Sequence, residues 1–248
     1  MSLSGLSPQA ADVPMCPRHL DRRAARTCTR CGQFVCSGCL PDGEVCIDCK
    51  TTLLAGVPSS AGRARWATRF LVLNVAAEIV GILGAIASSG GSADDPSIVV
   101  SLLTAVGGLG VFFTYLGAVI TFCRWEHLAF RQANALGVNT GVTPGFAVGA
   151  WFIPFVNLWR PYKILRELVN GLSGPGADRA ANMGTWWALW VISNGFSNLD
   201  ARLQLAGIDA LAVSAISSAL SIGAALLAVG VVRRVQSAVE ARRGESAA

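Results

Sequence analysis

The chain has 248 residues, of which 52% are hydrophobic and only 14% are charged. A typical soluble domain has roughly 25% charged residues, and the long apolar runs of this chain all follow residue 69, so the composition excludes an ordinary soluble protein. The formal charge of +5 counts the cysteines as neutral thiols, and it is therefore a weak argument for nucleic-acid binding. The sequence predicts an integral membrane protein.

The N-terminal segment is rich in cysteine. Seven of the eight cysteines lie between Cys16 and Cys49. The residues before them lack the positive region and apolar core of a signal peptide, so we expect residues 1–13 to form a disordered tail in the cytoplasm. In a reducing compartment such a cluster favours metal binding over disulfides. The eighth, Cys123, ends an apolar run and is predicted to be a buried, inert thiol.

The cysteines and one histidine form four ligand pairs, each with a two-residue spacer. Such a spacer directs two side chains at one tetrahedral ion, and two pairs complete a structural site. Eight ligands therefore predict two zinc ions. The short gap between Cys31 and Cys36 disfavours sequential pairing and favours an interleaved arrangement. The predicted ligands are Cys16, His19, Cys36 and Cys39 for the first zinc, and Cys28, Cys31, Cys46 and Cys49 for the second.

These zinc sites are predicted to be structural, because four protein ligands leave no open position for catalysis. The segment is so short that metal binding supplies most of its folding free energy. Its expected core is Leu20, Phe34, Val35, Leu40, Val45 and Ile47. Five arginines could contact an acidic partner, anionic lipid or nucleic acid, or simply face water. Nucleic acid is the least favoured of these, because no aromatic residues interleave with the arginines.

The ligand order resembles that of the B-box zinc finger, which also interleaves its ligands. The resemblance covers residues 14–50, with the departure that Cys46 and Cys49 stand where the B-box has a histidine pair. It implies a B-box-like two-zinc finger of bacterial type that mediates protein–protein interaction. Residues 51–65, which are small and polar, are predicted to be a flexible linker of about 20 Å reach.

Four segments are long enough to be membrane spans: 69–89, 98–122, 184–199 and 208–232. With a cytoplasmic N-terminus, this topology places every Arg and Lys between residues 63 and 243 on the inner side except Arg202, as the positive-inside rule requires. Both termini are then cytoplasmic. We expect a multi-pass protein of the bacterial inner membrane, with a membrane domain at 66–235 and a basic cytoplasmic tail at 236–248.

Two further segments lie on the inner side in this topology. The stretch 145–159 is apolar and aromatic but is interrupted by Pro154, which removes a backbone donor and breaks a helix, so we predict a re-entrant or interfacial segment. Residues 124–137 are expected to form an amphipathic helix on the inner leaflet. Glu126 and His127 would then anchor this helix at the membrane edge.

The runs "PGFAVGAWFIPFVNLWRPYKILREL" and "GTWWALW" resemble a bacterial membrane family catalogued as domain of unknown function 4328. The resemblance covers roughly residues 66–235 and implies architecture, because no activity is assigned to that family. The predicted fold is therefore an all-α integral membrane bundle of four spans plus the re-entrant or interfacial segment, with a small N-terminal zinc-binding domain.

Polar residues within the predicted membrane domain are candidates for a functional site, because burying them in lipid is costly. Glu78 lies near the middle of the first span, one turn after Asn74, and Asn157 and Asn194 lie in later segments. They could form a polar pocket or a proton site. The alternative is that they only connect helices by hydrogen bonds.

Two functions remain open on the sequence. In the first, the finger docks a cytoplasmic protein and the helices serve as anchor and scaffold. In the second, the protein is a small transporter or ligand sensor that uses Glu78, Asn74, Asn157 and Asn194 and is regulated by the zinc module. No catalytic constellation is present, so an enzyme is not expected. The expected partners are membrane lipids and a cytoplasmic protein, the sequence argues against nucleic acid, and a homo-oligomer remains open.

Overall fold

The computed structural model describes residues 14–40, 44–89, 98–208 and 211–247. Two short antiparallel hairpins form the N-terminal module, and the rest of the described chain is mostly helical. In the first hairpin β1 (Met15–Cys16) pairs with β2 (His19–Arg23), and in the second β3 (Arg26–Thr27) pairs with β4 (Phe34–Val35). The helices are α1 Ile47–Ala55, α2 Ala61–Ser89, α3 Ile98–Ala135, α4 Pro144–Gly149, α5 Arg160–Ser173, α6 Ala177–Ala180, α7 Met183–Leu205 and α8 Leu211–Ala247.

Three of these helices are long and apolar enough to cross a membrane: Ala61–Ala87, Ile98–Ala135 and Leu211–Gly244. Much of their apolar surface is exposed, as at Leu109, Phe112 and Phe113 of α3, each about three-fifths exposed. A soluble monomer rarely exposes contiguous apolar patches of this kind. The helices therefore indicate a membrane protein.

The packing order of the long helices leaves a gap on one side. Helix α2 packs along both α3 and α8, and α7 packs along α8. Close approach of α2 and α3 depends on glycine, since a Cβ atom on Gly107 would lie 2.7 Å from the Cα atom of Gly81. Helix α7, the predicted third span, is 23 residues long, but it is not among the three apolar helices. The gap lies between α3 and α7.

The core of the molecule is a compact helical base at one end of the long helices. It is built from α1, α4, α5, the starts of α2 and α7, and the ends of α3 and α8. Helix α5 contributes a regular apolar face that includes Ile164, Leu165 and Leu168, all fully buried.

The prediction of an amphipathic surface helix at 124–137 is wrong. Helix α3 continues without interruption to Ala135, and Trp125, Leu128 and Phe130 on this portion are fully buried in the base. With 38 residues, α3 is about 57 Å long, well beyond an apolar membrane core of about 30 Å. The pattern that predicted a surface helix therefore belongs to the buried end of a longer one.

The stretch predicted as a linker is more ordered than expected, and the stretch predicted as a basic tail continues a helix. The flexible linker predicted at 51–65 is helical at 51–55 and from residue 61, with Leu54 and Ser60 buried. The predicted tail from residue 236 continues α8 through Ala247, with Val239 fully buried. Tertiary packing against the base holds both stretches. Residues 1–13, predicted to be disordered, lie outside the described residues.

The stretch 145–159 is broken, as Pro154 predicts. Helix α4 ends at Gly149, a turn follows, and a single 3₁₀ turn covers Val156–Leu158. Phe155 has φ of +64°, a left-handed conformation that is unfavourable for a bulky side chain. The stretch packs against the base and reaches the gap between α3 and α7.

Candidate metal centres and membrane-domain cavity

The first group of metal-ligating side chains consists of Cys16, His19, Cys36 and Cys39. The turn between β1 and β2 positions the first two, and the 3₁₀ turn Ser37–Cys39 positions the others. The Sγ atom of Cys39 lies 3.2 Å from Nδ1 of His19 and 3.7 Å from Sγ of Cys16. A tetrahedron with metal–sulfur bonds of about 2.3 Å has sulfur–sulfur edges of about 3.8 Å. The group therefore has the dimensions of a tetrahedral metal site.

The second group consists of Cys28, Cys31, Cys46 and Cys49. Cys28 follows β3, whereas Cys46 caps the N-terminus of α1 and Cys49 lies in its first turn. The Sγ atoms of Cys31 and Cys46 are 3.7 Å apart. The backbone N–H of Cys46 donates to Sγ of Cys28 at 3.3 Å. This bond stabilises negative sulfur at Cys28, whereas burial and the neighbouring thiols raise the pKa of Cys49 to about 12.

In both groups all ligand atoms lie within 4.8 Å of one another, and the grouping is the interleaved one that the spacing predicts. Burial raises the pKa of the Cys28 thiol, but backbone hydrogen bonds lower it by more, to about 6. Burial and the neighbouring thiols raise the pKa of Cys39 to about 12. The sulfurs cannot all become negative unless a cation offsets their repulsion. Each group could therefore hold a metal ion.

The surface of this module differs from the prediction at two positions. Val35 and Leu40 are buried among the cysteines, but Leu20 is 77% exposed and Phe34 is 52% exposed, so neither is a core residue. The buried centre of the module consists of cysteines together with Val35 and Leu40. The arginines here are exposed, and Arg18 forms an ion pair with Asp48 at 3.3 Å. The module therefore presents apolar and basic side chains to its surroundings.

A cavity of about 610 Å³ occupies the gap between α3 and α7 and is also lined by α2 and α8. The structure brings all four predicted polar residues, Glu78, Asn74, Asn157 and Asn194, to this cavity. Asn74 connects helices, because its Nδ2 atom donates to Oγ1 of Thr114 on α3 at 3.2 Å. Asn194 Nδ2 donates within its own helix to the carbonyl of Trp190 at 2.7 Å. Among the described residues, the Glu78 carboxylate accepts no hydrogen bond.

The end of the cavity nearest the base is aromatic, which the sequence analysis did not predict. Trp151, in the turn after α4, lies with its ring centroid 5.7 Å from that of Phe122 and 5.4 Å from that of Trp190. Trp186 also lines the cavity. The spacing of Trp186 and Trp190 is one helical turn, and this signal could have identified them as partners on one face of α7.

The predicted location of Glu126 at the membrane edge is also wrong. It is fully buried in the base rather than exposed at a membrane edge, and Trp151 Nε1 donates to its Oε2 at 2.8 Å. Its other oxygen is buried without a hydrogen-bond partner among the described residues. Because α3 is continuous, the face that carries Glu126 points towards α4 and α5 rather than towards lipid head groups.

The fold and the ligand groups define a helical membrane protein with an N-terminal Cys/His module that could hold metal ions. The chain belongs to the family described as Domain of unknown function (DUF4328), whose model matches residues 94–237. The match covers α3 through most of α8, whereas the Cys/His module and α2 precede it. No curated protein and no solved structure matches the chain.

Proposed function

We propose that the chain is a membrane-anchored docking protein whose N-terminal module binds two zinc ions and recruits a cytoplasmic protein partner. The observation that carries the proposal is the pair of complete four-ligand groups. Cysteine-rich tetrahedral sets of this kind favour Zn²⁺, and four protein ligands leave no position open for a substrate. The metal therefore serves folding, and the finger serves recognition.

The exposed side chains of the finger support a docking role. Leu20 and Phe34 are large apolar residues that the module does not use in its own core, and exposed arginines accompany them. Aromatic residues and arginine are enriched at protein interfaces. A partner with an apolar recess and acidic rim would complement this surface.

The proposed topology places the finger in the cytoplasm. Helices α2, α3, α7 and α8 are proposed to cross a bacterial inner membrane, with the compact base, the stretch 145–159 and both termini on the cytoplasmic side. The placement of basic residues supports this orientation, because Arg63, Arg124, Arg160 and Arg234 all lie at the base and cytoplasmic segments carry an excess of positive charge. Helix α7 is polar along one face because that face lines the cavity.

Partner capture by the full-length chain in its native membrane tests the docking proposal. Proteins crosslinked to the wild-type chain are compared with those crosslinked to Cys28→Ser/Cys31→Ser and to Leu20→Asp/Phe34→Asp at equal abundance. Cys123→Ser, outside the ligand groups, serves as the matched control. We expect the same partner to be lost from both finger variants and retained by the control. A partner set unchanged in the surface variant, with zinc still bound, would contradict docking through this surface.

A second candidate function is ligand binding by the membrane domain, as in a small transporter or ligand sensor regulated by the zinc module. The specific observation in its favour is the cavity of about 610 Å³ that gathers Glu78 and three asparagines. Small-molecule sites have volumes of about 300–1,000 Å³, apolar walls and a few convergent polar groups. This candidate and the docking function are compatible within one chain.

A further inference from the structure

We propose that the membrane-domain cavity binds a lipophilic monocation, with the positive charge against Glu78 and the apolar body among the tryptophans. This inference rests on the second candidate function, ligand binding by the membrane domain. It adds the charge, the shape and the orientation of the ligand.

The charge of the ligand follows from the charge of the cavity. Glu78 is the one charged side chain among the described lining residues, which include no arginine or lysine. The carboxylate has no hydrogen-bond donor among the described residues, and an ionised group removed from bulk water is stabilised most by an opposite charge at close range. A single carboxylate matches a single positive charge.

The neutral polar group nearest to Glu78 in the sequence also favours a donor or cation. The side-chain N–H groups of Asn74 are already used, because they donate to the carbonyl of Val111 and to Thr114. What Asn74 leaves for a ligand is its oxygen atom, which is an acceptor. Asn74 lies one helical turn from Glu78 on the same face of α2, so its oxygen adds an acceptor beside the carboxylate.

The shape of the ligand follows from the opposite end of the cavity. Trp151, Trp186 and Trp190 line that end, and Leu71 on α2 packs against the same base. Seven residues of helix separate Leu71 from Glu78, which corresponds to about 10 Å. Tryptophan faces attract cations as well as apolar groups, so aromatic walls tolerate a delocalised or shielded charge. A ligand about 10 Å long with one cationic end fits both regions.

Equilibrium dialysis with three probes of similar size tests the inference. The probes are phenylbutyltrimethylammonium, a cation with its charge at one end, phenylbutanesulfonate, an anion, and the neutral hydrocarbon in which carbon replaces the ammonium nitrogen of the cation. The full-length chain is held in nanodiscs, and empty nanodiscs measure partitioning into lipid. We expect saturable binding of one cationic probe per chain, weakened at least tenfold by Glu78→Gln and largely retained by Glu78→Asp. Glu167→Gln, an exposed acid on α5, should leave binding unchanged.

A second variant keeps the test decisive if Glu78→Gln does not fold. Ala225→Phe fills the cavity from α8 without altering its charge, and we expect it to abolish binding while the chain still elutes as a single folded species. Equal affinity for the cation and the neutral probe, or an undiminished affinity in a folded Glu78→Gln chain, would overturn the monocation while leaving a ligand cavity. No saturable binding of any probe to a folded chain would overturn the inference and remove the support for the ligand-binding candidate itself.

Discussion

The indole Nε1 of Trp151 donates a hydrogen bond of 2.8 Å to Oε2 of the fully buried Glu126. The same indole ring packs against Phe122 on α3 and against Trp186, Trp187 and Trp190 on α7. One side chain thus connects the broken stretch after α4 to two long helices. It also closes the cavity on the side of the base.

Replacing Trp151 should therefore destabilise the membrane domain. Trp151→Phe would leave the buried Glu126 carboxyl group without its donor, which costs about 1–3 kcal/mol. The thermal unfolding midpoint of the detergent-solubilised chain should fall. Trp159→Phe, at a position 48% exposed, should shift the midpoint little, and equal shifts in the two variants would argue against a special role for the hydrogen bond.

Metal content should follow the two ligand groups. The purified chain is expected to contain two zinc ions, as measured by atomic emission against protein concentration. Cys16→Ser should lower zinc in the first group and leave the second intact, because the groups share no ligand. Cys123→Ser should keep the full complement, since Cys123 lies on α3. Complete loss of zinc from Cys16→Ser would mean that the two groups fold as one unit.

A single added methyl group should disrupt the contact between α2 and α3. A Cβ atom on Gly107 would lie 2.7 Å from Cα and 2.8 Å from N of Gly81, and backbone atoms cannot move aside as a side chain can. Gly107→Ala should therefore lower the unfolding midpoint. Gly108→Ala meets no atom within 4 Å and removes a glycine from a helix, so it should be neutral or stabilising by roughly 1 kcal/mol. Similar behaviour of the two variants would rule out close helix contact at Gly107.

The ion pair between α5 and α6 should make stability depend on pH in the acid range. Burial raises the pKa of the Asp178 carboxyl, but hydrogen bonding with Asn170 and the charge of Arg166, 2.8 Å away, lower it by more. A depressed pKa stabilises the fold above the unfolded value of about 3.9, and this stabilisation disappears as the pH falls through the folded pKa.

The unfolding midpoint of the wild-type chain should accordingly fall more steeply below pH 5 than that of Asp178→Asn. Any metal held by the cysteine groups would also be lost in acid, so the difference between variants at each pH is the quantity to compare. Glu167→Gln, an exposed neighbour on α5, should follow the wild-type profile. A parallel profile for Asp178→Asn would show that the pair does not contribute.

The sequence predicts best where the relevant physics is local. The two-residue spacers fix which cysteines share a turn, and the short gap after Cys31 brings the groups together in the interleaved way. Pro154 likewise interrupts a helical stretch, because proline lacks the backbone N–H that a helix interior requires. These features need only neighbouring residues, and the structure shows the same grouping and the same break.

Tertiary packing determines the features that local sequence patterns did not predict. Glu126 looks like a surface residue because polar and apolar residues alternate around it, yet the continuation of α3 into the base buries it. Ser60 is a small polar residue in a stretch of linker composition. In the structure it is fully buried, and its hydroxyl donates to Oε1 of Gln236 at 2.7 Å. Contacts with residues far along the chain carry no local signal.

Helix α1 joins the Cys/His module to the helical base more rigidly than a flexible linker would. Cys49 of the second ligand group and the buried Leu54 of the base lie five residues apart on this one helix. Under the proposed docking function, a module mounted in this way reaches only a short distance from the base and receives its partner in one orientation. The membrane-facing side of that partner is therefore fixed by the direction of α1.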